Sequence, residues 1–163
     1  MAPECAVAKM AQAGKYLSFK MDNEEYGLEI LRVQEIVGTA GISPLTWGSE
    51  HVTGSIRLRG RDIPVVNLRR LFGLSQVQDT EKSCVIIAEI PVQGVPVTIG
   101  LPVDEVCEVV SISDEQIGYP PSWAGGMEEP DFINGMGNLA DRDVILLEIE
   151  SFFSEEELKA MAL

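Results

Sequence analysis

The stretch HVTGSIRLRGRDIPVVNLRRLF, residues 51–72, is matched later in the chain by a second stretch of the same length, FINGMGNLADRDVILLEIESFF, residues 132–153. The two align without a gap, so that Gly54 falls on Gly135 and an arginine–aspartate pair falls on another. Two copies are too few for an open solenoid, which needs about three repeats. The chain is therefore expected to fold as two related units packed against each other.

An earlier segment is also duplicated. YGLEILRVQEIVG, residues 26–38, matches IGLPVDEVCEVVS, residues 99–111, with a glycine and a glutamate in common positions. The two segments occur in the same order in both copies. A duplicated order predicts a pseudo-symmetric pair with a shared seam between its halves.

Short apolar alternations separated by turn residues predict strands. The run YLSFKM, residues 16–21, alternates before a turn at Asp22 and Asn23, and Gly60 supplies the freedom for a hairpin turn. The run VILLEI, residues 144–149, is apolar at nearly every position and predicts a strand buried on both faces. Many short strands in two copies favour a mainly β fold of paired small barrels over a layered α/β fold.

A short C-terminal helix is predicted after these strands. Ser154 is a good N-cap, and Glu157 stands three residues later, where a capping box places it. The helix is expected to cover the edge of one lobe. Before it, residues 68–72 are expected to form a single helical turn that ends at Gly73.

The domain organisation follows from length and composition. Residues 1–15 lack the uninterrupted apolar core of an export signal and are interpreted as a flexible lead-in. Residues 16–162 are then expected to form one domain with two lobes, because neither half would bury much of a core alone. The polar connector at residues 76–82 marks the boundary between the repeats.

Charge and hydropathy exclude several function classes. The net charge of -14 argues against binding nucleic acid or anionic lipid, both of which need clustered Lys and Arg. No apolar run approaches the roughly 20 residues of a membrane span, so direct membrane insertion is not expected. Cytoplasmic localisation is the natural expectation.

Catalytic and metal-binding patterns are absent from the sequence. The single histidine, His51, stands in a loop beside Glu50 without a nucleophile or orienting group in a known spacing. Cys84 and Cys107 lie inside apolar strand patterns and are expected to be small buried residues. The sequence therefore predicts a binding module that is not an enzyme and that uses no cofactor or metal.

Four motifs carry a resemblance to a known family: VQEIVG at residues 33–38, GSIRLRGRDIPVVNLR at 54–69, IGLPVDEV at 99–106 and FINGMGNLADR at 132–142. In this order they resemble the CheW-type chemotaxis coupling protein family over residues 16–162. The resemblance implies two SH3-like five-stranded β-barrels around a common core. It also implies an adaptor that binds two partners, the cytoplasmic hairpin of a chemoreceptor and the regulatory domain of the histidine kinase CheA.

The resemblance further implies a receptor-binding groove. Arg59 is expected to pair with Glu35, two of the matched residues are expected to lie across the groove in the second lobe, and the kinase would contact the barrel ends. From pattern alone the apolar members fit a core equally well, and the glycines fit turns. The matched residues are Val33, Glu35, Gly54, Arg59, Gly60, Ile99 and Val103, the last two being those across the groove.

The sequence departs from the family pattern at several positions, and two alternative functions remain to be considered. Ser55 and Arg57 replace a valine and an asparagine common in the family, and Arg57 changes the local charge, which we interpret as partner specificity. The loop that contains Trp123 is also unusual. One alternative is a coupling protein of a related pathway, such as pilus-driven motility. The other is a small-ligand-binding or enzymatic double barrel using Cys107 or His51.

Overall fold

The structure, a computed structural model, describes residues 11–44, 52–75, 77–92, 94–118 and 133–149. Within these residues the chain forms twelve strands and one short helix. Strands of the first repeat are β1 (Gly14–Met21), β2 (Glu24–Glu29), β3 (Val33–Val37), β4 (Ile42–Pro44), β5 (Val52–Leu58) and β6 (Arg61–Val66), followed by α1 (Leu68–Leu71). Strands of the second repeat are β7 (Cys84–Val92), β8 (Val95–Val103), β9 (Glu105–Ile112), β10 (Ile117–Gly118), β11 (Ile133–Asn138) and β12 (Asp143–Leu147).

The strands form two six-stranded sheets with equivalent orders. Sheet A runs β10-β11-β12-β2-β1-β9, and sheet B runs β4-β5-β6-β8-β7-β3. Each sheet has five longer strands and one short edge strand, β10 or β4. The predicted mainly β, pseudo-symmetric fold is confirmed, and its arrangement is consistent with a pair of SH3-like barrels.

Each sheet takes strands from both repeats. The β5–β6 hairpin of the first repeat pairs in parallel with β8 of the second through Val65 and Gly100. The β11–β12 hairpin of the second repeat pairs in parallel with β2 of the first, where Leu146 lies opposite Gly27. The polar connector thus separates the repeats along the chain, while the sheets interleave them. Neither repeat can complete a sheet without the other.

A glycine stands at each of these parallel contacts, where side chains of the adjacent strands lie close to the backbone. A Cβ on Gly27 would lie 3.0 Å from Leu146 Cδ2, and one on Gly100 would lie 3.1 Å from Val85 Cγ1. A side chain at either position would have to displace these neighbouring side chains. The glycine that the two repeats share at this position therefore marks the place where the repeats interlock.

The core has a part between the sheets and a part inside each barrel. The shared cluster joins Phe19, Tyr26 and Leu28 of sheet A to Ile86, Ile99 and Leu101 of sheet B. A second cluster, inside sheet A, contains Tyr16, Val110, Val144 and Leu146. A third, inside sheet B, contains Ile56, Ile63, Val65 and Val85. Four of the five residues of β12 are buried, as the apolar run predicted.

Local turn chemistry follows the sequence closely. Asp22 and Asn23 both have positive φ, 54° and 73°, which is the two-residue hairpin turn expected between β1 and β2. Asn67 caps α1 by accepting from the Arg70 amide at 3.0 Å. Gly73 has φ of 75° and follows the helix, as predicted. The predicted C-terminal helix, His51 and Trp123 lie outside the described residues.

The described chain changes sheets at two places. It passes from β2 in sheet A to β3 in sheet B through a 3-10 turn, Ile30–Arg32, which contacts β1 and β7. It returns from β8 to β9 at Asp104, whose amide donates to the Lys20 carbonyl at 3.1 Å. In the repeat alignment Leu31 and Asp104 are equivalent, so the two crossovers are related by the pseudo-symmetry.

Candidate functional site

The β5–β6 hairpin ends in a two-residue turn, Arg59–Gly60. Both residues have positive φ, 51° and 79°. Glycine adopts this geometry freely, but a residue with a Cβ does so at a cost. Such strained residues persist where surrounding contacts hold them, and they are frequent at functional sites. Arg59 is therefore presented at the hairpin tip in a conformation that its neighbours must maintain.

Glu35, on the edge strand β3, is the neighbour that holds Arg59. The guanidinium donates to both carboxylate oxygens, through Nη1 to Oε1 and through Nη2 to Oε2 at 3.1 Å. The predicted ion pair is confirmed, and it has the two-pronged geometry that arginine favours with carboxylates. The Arg59 side chain is 73% exposed and that of Glu35 is 27% exposed.

The electrostatics of this pair are simple. The hydrogen bond from Arg59 lowers the pKa of the Glu35 carboxyl, and the same bond raises the pKa of Arg59. Because the folded-state pKa of Glu35 lies below its ordinary value, the pair is intact at neutral pH. It is lost only as the pH falls through that lowered pKa. Both groups are therefore charged at neutral pH.

Apolar residues lie close to Glu35 along the chain, in the first crossover and in β3. Val33 is partly buried and packs against the shared core cluster. Leu31, two residues earlier in the 3-10 turn, is 92% exposed. Ile36, further along β3, is 44% exposed. The sequence predicted no role for Leu31, because its apolar run fits a continuing strand as well as a turn.

Gly54 and Gly60 have different reasons for being glycine. Gly60 supplies the positive φ of the turn. Gly54 is buried within β5, where a Cβ would lie 2.9 Å from the backbone oxygen of Ser43 in β4. The interpretation of Gly54 as a turn residue is wrong, because its requirement is close approach between strands. It supports the β4–β5 side of the hairpin without contacting solvent.

Ile99 and Val103 lie elsewhere than expected. Both are in β8 of sheet B, the sheet that also contains β3 and the β5–β6 hairpin, so the prediction that they lie in the opposite lobe is wrong. Their side chains are 0% and 3% exposed and belong to the shared core cluster. The physical reason is the interleaving of repeats, which places β8 of the second repeat beside β6 of the first.

The equivalent region of the second repeat is more enclosed. Arg142, beside the β11–β12 tip, donates through Nε to Glu25 Oε1 at 2.9 Å and through Nη2 to Glu108 Oε2 at 2.7 Å. Its Nη1 also contacts Asp141 at 3.0 Å. The Glu25 side chain is only 10% exposed. Glu25 Oε2 has no hydrogen-bond partner within the described residues. The carboxylate therefore depends on Arg142 for its compensation.

Nothing among the described residues supports the small-ligand or enzymatic alternative. No cluster of three His, Cys, Asp or Glu there could hold a metal ion. Cys84 is partly buried, but Cys107 is exposed on the outer side of β9, so the prediction that it is buried is wrong. Burial raises the pKa of the Cys84 thiol. Although Cys107 is exposed as a whole residue, partial desolvation of its sulfur and the nearby Glu25 carboxylate raise the pKa of its thiol as well.

A cleft of about 190 Å³ is lined by residues that include Arg69, Val77 and Asp104, and Cys107 does not line it. Arg69 Nη2 donates to Asp104 Oδ2 at 2.5 Å, and its Nη1 donates to the Ser75 carbonyl at 2.8 Å. Arg69 and Asp104 thus compensate each other's charge within the cleft. None of the helices in the described ranges is long and apolar enough to cross a membrane.

Comparison with known proteins places this architecture. The model of the CheW-like domain matches residues 15–157. The chemotaxis protein CheW of Klebsiella aerogenes is 33% identical over 161 residues, covering 97% of this chain and 94% of that protein. The chemotaxis protein CheW of Rhizobium meliloti is 28% identical over 156 residues, covering 95% and 97%.

A solved structure agrees with these relatives. The crystal structure of the scaffolding protein TtCheW from Thermoanaerobacter tengcongensis superposes with a TM-score of 0.74 at 30% identity, covering 88% of this chain and 94% of that one. Similarity in sequence and in fold thus extends along nearly the full length of both proteins. The chain belongs to the CheW-like domain family, whose members are non-catalytic scaffold proteins of chemotaxis signalling.

Proposed function

We propose that this protein couples the cytoplasmic hairpin of a chemoreceptor to the regulatory domain of a CheA-type histidine kinase. The observation that carries the receptor half is the surface formed by Leu31, Val33, Glu35 and Arg59, named here the coupling surface. It combines an almost fully exposed leucine with a charged pair that is fixed in geometry. Apolar area with a few polar anchors is what a surface needs to hold an amphipathic helix.

Each member of the coupling surface has a distinct task in this proposal. Leu31 contributes apolar area that is almost entirely exposed, and binding would remove that area from water. Glu35 orients Arg59, which would present its remaining donors to the receptor. Ile99 and Val103 act from beneath, because they pack β8 in the core and so fix the strands that bear the surface. The kinase domain is proposed to contact the barrel ends.

Replacing Glu35 by lysine tests the receptor half directly. Lysine would repel Arg59 and release the hairpin tip, so the affinity for a purified receptor hairpin from the same organism should fall at least tenfold by calorimetry. Binding to the kinase regulatory domain and the melting temperature should remain nearly unchanged, because the pair is exposed.

Two further variants control this experiment. Glu115→Lys makes the same charge change at an exposed position after β9 and should leave receptor binding within twofold. The exchange Glu35→Arg with Arg59→Glu restores a pair of opposite polarity, and recovery of binding would show that orientation matters more than the sign at each position. If Glu35→Lys lost binding to both the receptor and the kinase domain and its melting temperature fell strongly, Glu35 would instead be a structural residue.

A further inference from the structure

Basic residues are concentrated at one point of this acidic chain. The whole protein has 12 Lys and Arg against 26 Asp and Glu. Three of the arginines stand at alternate positions of the β5–β6 tip, Arg57, Arg59 and Arg61. The side chain of Arg57 is 70% exposed and that of Arg59 is 73% exposed, and Arg61 is also exposed. The tip therefore projects positive charge from a negatively charged molecule.

The intramolecular partners of these arginines leave much of the charge uncompensated. Glu35 binds Arg59 with both oxygens. Arg57 reaches Asp62 only at 3.4 Å, between side chains that are 70% and 68% exposed. Such a contact is weak because water screens it. Arg61 makes no ion pair with any of the described residues.

The hairpin fold itself does not require this charge. The second repeat places Asn138, Ala140 and Arg142 at the positions equivalent to Arg57, Arg59 and Arg61. The β11–β12 hairpin keeps the same bulge and, as far as the pair Asn138 and Asp143, the same pairing. Arg57 and Arg59 are thus specific to the first tip. The arginine at position 61 is shared with position 142, but Arg142 binds Glu25, Glu108 and Asp141, whereas Arg61 forms no ion pair with the described residues. The mutual repulsion of the three arginines at the first tip therefore needs a functional explanation.

The register shows how the three arginines are arranged. Arg57 lies opposite Asp62 and Arg61 lies opposite Leu58, so Arg57 and Arg61 occupy different faces of the two-stranded ribbon. Arg59 stands at its end. Positive charge therefore surrounds the tip on both faces, and a complementary surface would offer carboxylates on either side of the Arg59 contact.

We propose that Arg57 and Arg61 extend the coupling surface and select a receptor hairpin with carboxylates on both sides of the bound tip. This inference rests on the proposed function and adds the chemistry of the partner. Arg59 with Glu35 would fix the position of the contact. Arg57 and Arg61 would set preference among receptors, because a partner with neutral or basic residues there would leave their charge unpaired or repelled.

Calorimetry with the double variant R57E/R61E and the purified receptor hairpin tests this inference. At 50 mM NaCl the double variant should bind at least tenfold more weakly than the wild type. Binding by the wild type should weaken with added salt, while binding by the variant should depend on salt much less. The control R70E/K82E makes the same change in net charge at two exposed positions outside the tip and should stay within threefold.

A rescue experiment identifies the complementary groups. Each exposed Asp or Glu at the receptor tip is replaced by Lys, and at least one replacement should restore binding to R57E/R61E while weakening binding to the wild type. Equal binding by R57E/R61E and R70E/K82E would overturn the inference and leave the proposed function intact, provided the wild type binds. Failure of the wild type to bind the hairpin would overturn both.

Sedimentation at low salt tests whether the basic tip binds a second copy of this protein and not the receptor. If the wild type self-associates and R57E/R61E does not, the basic tip binds the acidic β11–β12 tip of a second copy. That result, without a change in receptor affinity, would also overturn the inference. A monomeric wild type that loses receptor affinity on charge reversal is the expected result.

Discussion

Arg59 and Arg142 stand near the tips of equivalent hairpins, and each binds one of two equivalent glutamates, Glu35 or Glu108. Around Arg59 two carboxylates, Glu35 and Asp62, face three arginines of the tip. Around Arg142 the balance is reversed, because Glu25, Glu108 and Asp141 all approach the single guanidinium. The first pair is open to solvent on a basic tip, and the second is enclosed in an acidic one.

The two sheet crossovers differ in the same direction. At the first, the Leu31 side chain is 92% exposed. At the second, the equivalent Asp104 accepts from the Asp22 amide at 2.9 Å and binds Arg69, whose side chain is 10% exposed. The duplicated fold thus has two equivalent crossovers, and polar contacts of Asp104 cover the second. The first was left with the exposed groups that a partner can use.

Removing the arginine side chain should destabilise the protein far more at Arg142 than at Arg59. Arg142→Ala leaves Glu25 buried and without its cation, which should lower the free energy of unfolding by about 3 kcal/mol. For a chain of this size that corresponds to a fall in melting temperature of roughly 6 to 12 °C. Arg59→Ala should leave the melting temperature nearly unchanged. Thermal unfolding followed by circular dichroism measures both.

A lysine at position 142 serves as the control for Arg142→Ala. It keeps the positive charge near Glu25 but cannot hold Glu25 and Glu108 together, so its stability should lie between those of the wild type and the alanine variant. Equal melting temperatures for the alanine variants at 59 and 142 would contradict the comparison, because the two ion pairs would then contribute equally.

Truncating Leu31 tests whether the exposed first crossover contributes to receptor binding. Leu31→Ser removes apolar area that is 92% exposed, so it should not change stability. If the leucine is buried by the receptor, affinity should fall about tenfold, or roughly 1.4 kcal/mol. Calorimetry with the receptor hairpin measures the affinity, and binding to the kinase domain should be retained.

Val95→Ser is the matched control for Leu31→Ser. Val95, at the start of β8, is another exposed apolar residue, at 53%, and lies outside the coupling surface. Its truncation should leave receptor affinity unchanged. Equal losses for the two variants would mean that exposed apolar area contributes nonspecifically, and Leu31 would then have no special place in the coupling surface.

Much of this fold was accessible from sequence because it depends on local chemistry. The turn at Asp22 and Asn23, the Arg59–Gly60 hairpin and the helical turn before Gly73 follow from residues that favour positive φ or cap a helix. The duplicated motifs predicted equivalent halves. The pairing of Arg59 with Glu35 also followed, although from the family resemblance and not from pattern.

What sequence could not provide is the interleaving of strands between repeats. No local sequence feature shows that β8 pairs with β6 of the first repeat in addition to β7, its neighbour along the chain. Ile99 and Val103 were therefore assigned to the wrong lobe. Exposure was likewise hidden at Leu31 and Cys107. A 3-10 turn at Leu31, and a register shift in the pairing of β1 with β9 near Cys107, break the alternation on which such predictions depend.

A loss of stability at alkaline pH is expected to arise in sheet A. Burial raises the pKa of Tyr16 and of Tyr26 to about 12, with the charges of Glu29 and Glu24 adding to the effect. The equivalent positions in sheet B are Val85 and Ile99, which do not titrate. An unfolded tyrosine loses its proton near pH 10, so the stabilisation is complete below pH 10 and is lost as the pH rises toward 12.

At pH 11 each tyrosine should cost about 1.4 kcal/mol of unfolding free energy relative to pH 9. Urea unfolding at the two pH values measures this difference. Tyr26→Phe should remove about half of it, and Tyr16→Phe should do the same while also losing the 2.6 Å hydrogen bond to the Gln12 carbonyl. All three cysteines remain in every variant, so their titration cancels between variants. An unchanged pH dependence in both variants would place the alkaline sensitivity outside the buried tyrosines and remove this difference between the two sheets.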